Sequence, residues 1–266
     1  MKKILIIGKR GFIGNSLKEY LKNYFDLKHI SFYKFGKYKS KINNFDYVIN
    51  TSITKKYINN KYNIKFDNDY KIANFINNEK TIYLFLSSRK VYKSKPDIKE
   101  NDKLLPKSNY SKNKLITENK LKKKMNKNLL ILRISNVIGD KTKIKKIHNT
   151  FVDIFFQNVK KGFIIDNKTD FKDFISIEKF CEIIKKVIQK NLKGVFNVSI
   201  GKKVYLADLV NWLNRYNNKD FIKKRNNIKN QCFYLNNKKL MSKIKIKNSI
   251  SELKKYCLKI SKKNFS

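Results

Sequence analysis

The sequence predicts an α/β protein built on a doubly wound parallel sheet, and three observations support this class. The chain begins with a short apolar run at residues 4–7. A turn containing Gly8, Gly11 and Gly14 follows, and then a segment with apolar residues at helical spacing. Further short apolar runs alternate with amphipathic segments as far as residue 135. Short apolar runs are typical of strands buried on both faces, and their alternation with helices is typical of parallel βαβ units.

The elements of the first half follow this order along the chain. The predicted strands cover residues 4–7, 27–35, 46–53, 81–88 and 129–135. The strand at 81–88 has the strongest pattern, because most of its residues are apolar and either β-branched or aromatic. The predicted helices begin after Gly14, cover residues 66–78, and begin again at Tyr110. Right-handed crossovers in such a sheet place ligands at the carboxyl ends of the strands.

The pattern changes after Asn136. The predicted helices of this second half cover residues 147–162, 178–190 and 204–216, with one more near 249–260. The predicted strands cover residues 163–166, 173–177 and 194–200. We therefore predict a nucleotide-binding domain over residues 1–140, to which elements of 174–200 return, and a small interleaved substrate lobe formed mainly by 141–266.

The first turn has the spacing G-x-x-G-x-x-G and lies between a strand and a helix. The N-terminus of a helix offers unpaired N–H groups and a partial positive charge, which suit a phosphate. Glycine permits positive φ and lets a ligand approach the backbone closely. Because the turn has this context on both sides, it predicts that the pyrophosphate of a dinucleotide binds here.

Ser88, Tyr110 and Lys114 are the candidate catalytic residues. Tyr110 and Lys114 are four residues apart, so they share one face of a helix. An ammonium beside a phenol lowers its pKa from about 10, and such a tyrosine can exchange a proton near neutral pH. Ser88 ends a strand, where it can hydrogen-bond a carbonyl or alcohol oxygen. The spacing Y-x-x-x-K is common by chance in this chain, so the assignment depends on its placement after that strand and at a helix start.

These motifs resemble those of the extended short-chain dehydrogenase/reductases, the family of nucleotide-sugar epimerases, dehydratases and 4-keto reductases. The segments that carry the resemblance are GKRGFIG, DYVINTSIT, FLSSRKVYK, PKSNYSKNK, LRISNVIG, KDFISIEKF and GVFNVSIGK, in the family's order. One departure is Asn113, at a position where the family usually has serine. The resemblance implies a Rossmann-type sheet, a nicotinamide cofactor and a nucleoside-diphospho-sugar substrate.

The resemblance also implies roles for individual residues. Ser88, Tyr110 and Lys114 take the catalytic positions, and no metal is expected. The residues expected to bind the cofactor are Gly8, Arg10, Gly11, Phe12, Ile13, Gly14, Ser31, Lys34, Thr51, Ser52, Tyr110 and Lys114. The residues expected to bind the substrate are Ser88, Arg89 and Asn136.

Departures from the family pattern help to choose a reaction. Dehydratases of the family have an Asp-Glu pair after the catalytic hydroxyl, whereas this chain has Arg89 and Lys90, so a dehydratase is not expected. The second strand is not followed by the acid that would bind the ribose hydroxyl of NAD. Arg10 in the turn and Lys34 beyond the strand suit the 2′-phosphate of NADP(H), which we favour over NAD(H).

The favoured function is therefore NAD(P)-dependent reduction of a 4-keto nucleoside-diphospho-sugar, with Tyr110 as the general acid. A nucleotide-sugar 4-epimerase with tightly bound NAD would use the same residues and is the first alternative. The second alternative is a non-catalytic family member that binds RNA or a protein through its basic surface. An intact set of Ser88, Tyr110 and Lys114 argues against this second alternative.

The formal net charge of +43 has two explanations. A basic protein is a candidate for binding nucleic acid or an anionic membrane surface. In this chain, however, lysine and asparagine are frequent in every segment instead of forming one block, which is typical of compositional bias. We therefore expect no specific nucleic-acid partner, but anionic substrates and salt-dependent binding.

The remaining composition indicates a protein of the cytoplasm. Cys181, Cys232 and Cys257 lie far apart, as expected for free thiols in a reducing compartment. The two histidines, His29 and His148, cannot form a His-rich zinc site. No segment approaches the ~20 apolar residues of a membrane span, and the first strand begins without a signal peptide. The family resemblance implies that a homodimer would form through the helix that holds Tyr110.

Overall fold

The computed structural model describes residues 1–139, 151–166, 168–219, 222–225 and 232–265. In chain order, the strands are β1 (Lys3–Ile7), β2 (Asp26–Ile30), β3 (Tyr47–Asn50), β4 (Ile82–Ser88), β5 (Leu129–Ile134), β6 (Asn136–Ile138), β7 (Phe163–Asp166), β8 (Phe171–Lys172), β9 (Phe174–Ser176), β10 (Gly194–Val198), β11 (Val204–Tyr205) and β12 (Ile222–Arg225). The α-helices are α1 (Phe12–Leu21), α2 (Lys55–Asn59), α3 (Asn68–Ala73), α4 (Asn109–Met125), α5 (Phe151–Lys160), α6 (Ile177–Gln189), α7 (Leu206–Leu213), α8 (Lys238–Ile244) and α9 (Ile250–Phe265).

A six-stranded sheet has the order β10-β5-β4-β3-β1-β2. The pairs β1–β2, β1–β3, β3–β4 and β4–β5 are all parallel. The chain passes from β1 to β2 on one side and then to β3 on the other, so the strand order reverses at β1. This is the Rossmann-type arrangement, and the predicted α/β fold is confirmed. In such sheets ligands bind where the order reverses, at the carboxyl ends of the strands.

The inner strands β1, β3, β4 and β5 are nearly continuous apolar runs because both of their faces are covered. Every residue of β4 and β5 is buried, and so are the last four residues of β1. Such uniform burial explains why the sequence shows unbroken apolar runs and no alternation of apolar and polar residues. The polar residues that do lie within β4 and β5 therefore need partners in the interior.

The chain divides into two units, each with its own core. The first unit comprises Met1–Lys93, Glu100–Ile134 and Cys181–Asn197. It contains β1 to β5 with α1 to α4, together with most of α6 and β10, and its core includes side chains from β1, β4, β5 and α4. Glycine, serine, tyrosine and lysine residues predicted to bind a cofactor or to catalyse the reaction belong to this unit.

The second unit comprises Ser94–Lys99, Ser135–Phe180 and Val198–Ser266. Its strands form two-stranded sheets, β6 with β9, β7 with β12 and β8 with β11. Its core includes apolar residues of α5, α7 and α9. Whether this unit serves the substrate and the first the cofactor, as predicted for the two domains, stays a prediction.

The prediction for the second strand is correct in its first half and wrong in its second half. The prediction extended the second strand over residues 27–35, but β2 ends at Ile30 and Phe32–Tyr38 forms a 3₁₀ helix. Phe32 and Phe35 stack with ring centroids 6.3 Å apart, and Phe35 is buried in the core. A spacing of three residues brings both rings to one side of a 3₁₀ helix, so packing decides the conformation against strand propensity.

Other predicted elements differ in length, and some were missed. The helix predicted over 66–78 is shorter, since α3 begins after the cap Asp67 and ends at Ala73. The helix predicted over 147–162 is observed as α5, and residues 147–150, with His148, lie outside the described residues. The sequence patterns did not indicate β6, β8, β11, β12, α2 or α8, which have between two and seven residues each. Among the helices that the structure describes, none has the length and apolar character to cross a membrane.

Candidate active site

The first and third glycines of the turn are required by packing. Gly8 has φ +127°, and a Cβ there would lie 2.2 Å from Thr51 Oγ1. A Cβ on Gly14 would lie 2.5 Å from both Gly8 O and Thr51 Oγ1. The start of α1 therefore packs directly against the residue that follows β3, and any side chain at either glycine would separate the two.

The second glycine, Gly11, has no such constraint. Its φ is −87°, which any residue adopts, and a Cβ there would meet no atom closer than 3.8 Å. Gly11 is the N-cap of α1, and the first turn of that helix contains no acid. The fold itself therefore tolerates a side chain at Gly11, whereas a phosphate approaching the helix N-terminus would not. This combination fits the pyrophosphate of a dinucleotide.

Residues after β3 form the neighbouring edge of this site. The Thr51 hydroxyl donates to Ile7 O at 3.0 Å, so the carboxyl ends of β1 and β3 are joined. Ser52 Oγ donates to Asn50 Oδ1 at 2.6 Å and accepts from Asn68 Nδ2 at 3.1 Å. These bonds fix the backbone of Thr51 and Ser52 beside the glycine turn.

The region after β2 is basic and lacks an acid. Ser31 precedes the 3₁₀ helix, and Lys34 is exposed on it. Arg10 is exposed in the glycine turn, next to exposed Lys9. No Asp or Glu occurs from residue 27 to residue 38. Since β2 runs parallel to β1, the segments that follow these two strands, with their cations, begin at the same carboxyl edge of the sheet.

In the short turn after β4, Lys90 contacts both Ser88 and Tyr110. Ser88 is the last residue of β4, and its Oγ accepts a hydrogen bond from Lys90 N at 3.3 Å. The Lys90 ammonium lies 5.8 Å from the centroid of the Tyr110 ring. Arg89 lies between Ser88 and Lys90 in the chain, and burial lowers the pKa of its guanidinium to about 10. The Lys90 backbone therefore contacts the Ser88 hydroxyl at the carboxyl end of β4, while its ammonium lies beside the Tyr110 ring.

The start of α4 positions Tyr110. Ser108 and Ser111 form a capping box, with Ser111 N donating to Ser108 Oγ at 3.3 Å and Ser108 N donating to Ser111 Oγ at 3.0 Å. Asn113 Nδ2 donates to the backbone oxygens of Tyr57 and Asn60, at 2.7 Å and 2.9 Å. Asn113 thus uses the position that departs from the family pattern to fix α4 against α2. The capping box and the Asn113 hydrogen bonds together fix the first turn of α4, which carries Tyr110.

Lys114 is buried and points at β4. Its ammonium donates to Leu86 O at 2.9 Å and lies 4.5 Å from the centroid of the Phe85 ring. The nearest carboxylate is that of Asp69, with Oδ2 at 3.7 Å, and both side chains are 8% exposed. Leu86 precedes Ser88 by two residues on the same strand, so Lys114 approaches the strand end that carries Ser88.

Sequence reasoning missed Asp69. It lies on α3, where its carboxyl group accepts a hydrogen bond from the Tyr83 hydroxyl at 2.9 Å. Burial raises the pKa of Asp69 to about 6, although the charge of Lys114 acts in the opposite direction. A signal was present, because Asp69 precedes the buried residues Ile72 and Ala73 by three and four positions. A carboxylate on the buried face of a helix needs a partner in the interior.

One turn further along α4, Glu118 forms a second buried ion pair. Arg133 Nη2 donates to Glu118 Oε2 at 2.7 Å, and Arg133 Nε donates to Oε1 at 3.1 Å. The Ser87 hydroxyl also donates to Glu118. Arg133 Nη1 donates to the Tyr92 hydroxyl at 2.9 Å and to Glu100 O at 3.0 Å. This network joins α4, β4 and β5 behind the strand end with Ser88.

Asn136, predicted to bind substrate, belongs to the second unit. Its Nδ2 donates to Asp173 O at 3.0 Å. The Asp173 carboxylate accepts from Leu235 N at 2.9 Å and from Ile200 N at 3.2 Å, and burial raises its pKa to about 7. Among the residues that the structure describes, no cluster of His, Cys, Asp and Glu is placed to hold a metal ion.

The model of the NAD dependent epimerase/dehydratase family matches residues 4–199. This range contains the glycine turn, Ser88, Tyr110 and Lys114, as well as Asn136. A comparison with the curated proteins found no match.

Solved structures match over nearly the whole chain. The Bordetella bronchiseptica enzyme WbmH in complex with NAD⁺ has a TM-score of 0.81 and 16% identity, with 100% of both chains covered. A UDP-N-acetylglucosamine 4-epimerase from Methanobrevibacter ruminantium M1 has a TM-score of 0.78 and 19% identity, with 98% of this chain and 97% of that chain covered. A dTDP-4-dehydrorhamnose reductase from Clostridium acetobutylicum has a TM-score of 0.75 and 19% identity, with 96% and 98% covered. At these identities the likeness concerns the fold, which epimerases and reductases share.

Proposed function

The chain belongs to the NAD dependent epimerase/dehydratase family, and we propose that it reduces a 4-keto nucleoside-diphospho-sugar with NADPH. The observation that carries the proposal is the turn Ser88-Arg89-Lys90, which links the Ser88 hydroxyl to the Tyr110 ring. Lys114 contacts the same strand at Leu86 O. A hydroxyl, a phenol and an ammonium at one strand end are the groups that a carbonyl reduction needs.

The first unit is proposed to hold the cofactor. Gly8 and Gly14 shape the turn, and the open space at Gly11 admits the pyrophosphate. Arg10 and Lys34 are placed to bind a 2′-phosphate through charge-assisted hydrogen bonds. When bound, the nicotinamide supplies the hydride. Arg10→Ala is then expected to weaken NADPH binding about tenfold and to leave NADH binding within about twofold, as measured by titration calorimetry.

The residues of the first unit are proposed to handle the proton and the charge. The Ser88 hydroxyl donates to the carbonyl oxygen and orients it. The Tyr110 phenol transfers its proton to that oxygen as negative charge develops there. The Lys114 ammonium stabilises the phenolate that remains and donates to the ribose of the nicotinamide nucleotide. In the reverse direction, the same groups remove a proton from an alcohol.

Arg89 and Lys90 support reduction over dehydration. Neither side chain can serve as the acid and base that expel water in the dehydratases. Two cations beside Ser88 suit a substrate that carries a diphosphate. We assign Arg89 and Asn136 to substrate binding.

Cofactor stoichiometry distinguishes the two reactions. The purified protein is incubated with NADPH and a panel of 4-keto nucleoside-diphospho-sugars, and substrate and cofactor are both followed. One NADPH oxidised for each sugar consumed supports the reductase. Conversion of a nucleotide sugar without net change of the cofactor would instead establish a 4-epimerase.

A catalytic-site variant completes this test. Tyr110→Phe removes the proton donor and is expected to abolish turnover while dinucleotide binding is retained. If the wild-type protein neither binds a nicotinamide dinucleotide nor converts any nucleotide sugar, the proposal is wrong. The alternative of a non-catalytic binder would then be tested with RNA.

A further inference from the structure

The ammonium of Lys114 lies in the protein interior. The residue is only 6% exposed, although it carries a charge. One hydrogen bond, to Leu86 O at 2.9 Å, and the faces of the Phe85 and Tyr57 rings, with centroids at 4.5 Å and 5.8 Å, surround it. A carbonyl and two rings offer partial negative charge, whereas a buried cation needs a full countercharge to remain ionised.

Asp69 is the carboxylate in position to provide that countercharge. Its Oδ2 lies 3.7 Å from the Lys114 ammonium. At this distance the interaction is one of charge and not a direct hydrogen bond. The other nearby carboxylate, that of Asp67, is engaged elsewhere, because it caps α3 through Tyr70 N at 3.0 Å and accepts from the Thr117 hydroxyl at 2.7 Å.

The surroundings of Asp69 come from several elements. The groups that face it are Lys114 on α4, Tyr83 on β4, Asn50 on β3, Tyr57 on α2 and Asp67 at the start of α3. Only Lys114 among these is a cation, while Asp67 is a like charge. The balance between burial, Asp67 and Lys114 sets the ionisation of Asp69.

We propose that Asp69 is a positioning residue whose carboxylate keeps Lys114 protonated and directed at the carboxyl end of β4. This inference rests on the proposed function, in which Lys114 stabilises the Tyr110 phenolate and binds the nicotinamide ribose. Asp69 touches neither the substrate nor the cofactor in this scheme, and it acts through Lys114. A purely structural role, as the acceptor for the Tyr83 hydroxyl, would leave the ionisation of Lys114 unchanged.

Direct titration of Lys114 separates these two roles. Protein with isotope-labelled lysine side chains is titrated by NMR, and the Lys114 signal is identified by its loss in Lys114→Arg. In Asp69→Asn the buried ammonium loses its countercharge, so its titration midpoint is expected to fall by about one pH unit or more. Asp26→Asn, the same change at an exposed position on β2, is the matched control and should leave the signal unchanged.

Kinetics give the second readout. Asp69→Asn is expected to lower kcat at least about tenfold near neutral pH while KM changes less than about threefold, and to move the alkaline limb of the pH profile to lower pH. Asp69→Glu keeps the charge and should recover most of kcat. An Asp69→Asn variant with wild-type lysine titration and wild-type kcat would overturn the proposal.

Failure of the proposed function gives a different result. If the wild-type protein converts no nucleotide sugar, the function is wrong, while the lysine titration still decides the role of Asp69. If Asp69→Asn does not fold, the wild-type titration decides it. Protonation of Asp69 must then appear in the Lys114 signal as a step near pH 6, since burial raises the pKa of Asp69 to about 6. Absence of that step would also overturn the proposal.

Discussion

Helix α4 carries two buried ion pairs one turn apart, and they are built in opposite ways. Glu118 and Arg133 are joined by short contacts of 2.7 Å and 3.1 Å, and their side chains are 0% and 3% exposed. Lys114 and Asp69 stand 3.7 Å apart. Around Glu118 and Arg133, further donors and acceptors complete the network, whereas Lys114 has one hydrogen bond among the residues that the structure describes, to Leu86 O.

This difference in hydrogen bonding indicates that Glu118–Arg133 has a structural role and that Lys114–Asp69 belongs to the candidate site. A buried pair whose two charged groups are both hydrogen-bonded to further interior groups holds its elements in one arrangement. An ammonium has three donors, so Lys114 keeps two for other groups after its bond to Leu86 O. We call Glu118–Arg133 the closed pair and Lys114–Asp69 the open pair. The closed pair should matter for stability and the open pair for turnover.

The largest expected effect is the loss of stability when the closed pair is broken. Arg133→Met leaves Glu118 buried without its cation and should lower the free energy of unfolding by about 3–5 kcal/mol, or prevent folding. Chemical denaturation measures this change. The double variant Arg133→Met/Glu118→Leu removes both charges and should recover part of the loss. A single variant as stable as the wild type would contradict the assignment of this pair to the scaffold.

Removing the cation of the open pair should instead lower the rate of turnover. Lys114→Met is expected to lower kcat/KM by about 10²–10⁴ while unfolding changes less than in Arg133→Met, because a flexible apolar side chain can occupy the same buried space. Steady-state kinetics and denaturation of the same preparation measure both effects. If Lys114→Met destabilises the protein as much as Arg133→Met does, the two pairs do not differ in role.

Local patterns were sufficient to predict most of the first unit. The apolar run before Gly8, the strand that ends at Ser88 and the helix that carries Tyr110 are all specified by neighbouring residues, so each was predicted with its type and approximate bounds. The placement of Ser88 at the carboxyl end of a strand followed from the same patterns. The functional roles assigned to these residues stay predictions.

What the sequence did not reveal depends on contacts between distant residues. Asp69 and Lys114 are far apart in the chain, and neither neighbourhood indicates the pairing. Ile30 ends β2 because Phe32 and Phe35 pack in the core as a 3₁₀ helix, an outcome of tertiary packing. The short elements β6, β8 and β11 have two or three residues, too few for a period to be recognised.

The next largest effects on stability and binding are expected in the glycine turn, where Gly8 is tightly packed and Gly11 has free space beside it. Gly8→Ala forces a Cβ to within 2.2 Å of Thr51 Oγ1 at φ +127°, and should destabilise the fold by about 1–3 kcal/mol or more. Gly11→Ala meets no atom closer than 3.8 Å and should change stability by less than about 0.5 kcal/mol. The same Gly11→Ala change should weaken dinucleotide binding at least about tenfold, since the methyl group occupies the approach of the pyrophosphate. Thermal melts with and without NADPH or NADH measure both; unaltered binding in Gly11→Ala would contradict a pyrophosphate site at this turn.

The smallest expected effect is the contribution that Asp69, in the open pair, makes to the pH dependence of stability. Burial raises the pKa of Asp69 to about 6 from an ordinary value of 3.8, so the folded protein retains a proton that the unfolded chain releases between these values. The contribution to stability is complete below about pH 3.8 and is lost as the pH rises through about 6. Thermal midpoints of the wild type and Asp69→Asn are compared from about pH 4.5 to about pH 8, in high salt that screens the repulsion of the +43 net charge. The wild-type midpoint should fall relative to that of the variant as the pH rises toward about 6, and the difference between them should level off at higher pH. Parallel curves would show that Asp69 does not titrate in this range, and they would contradict the difference drawn between the open pair and the closed pair.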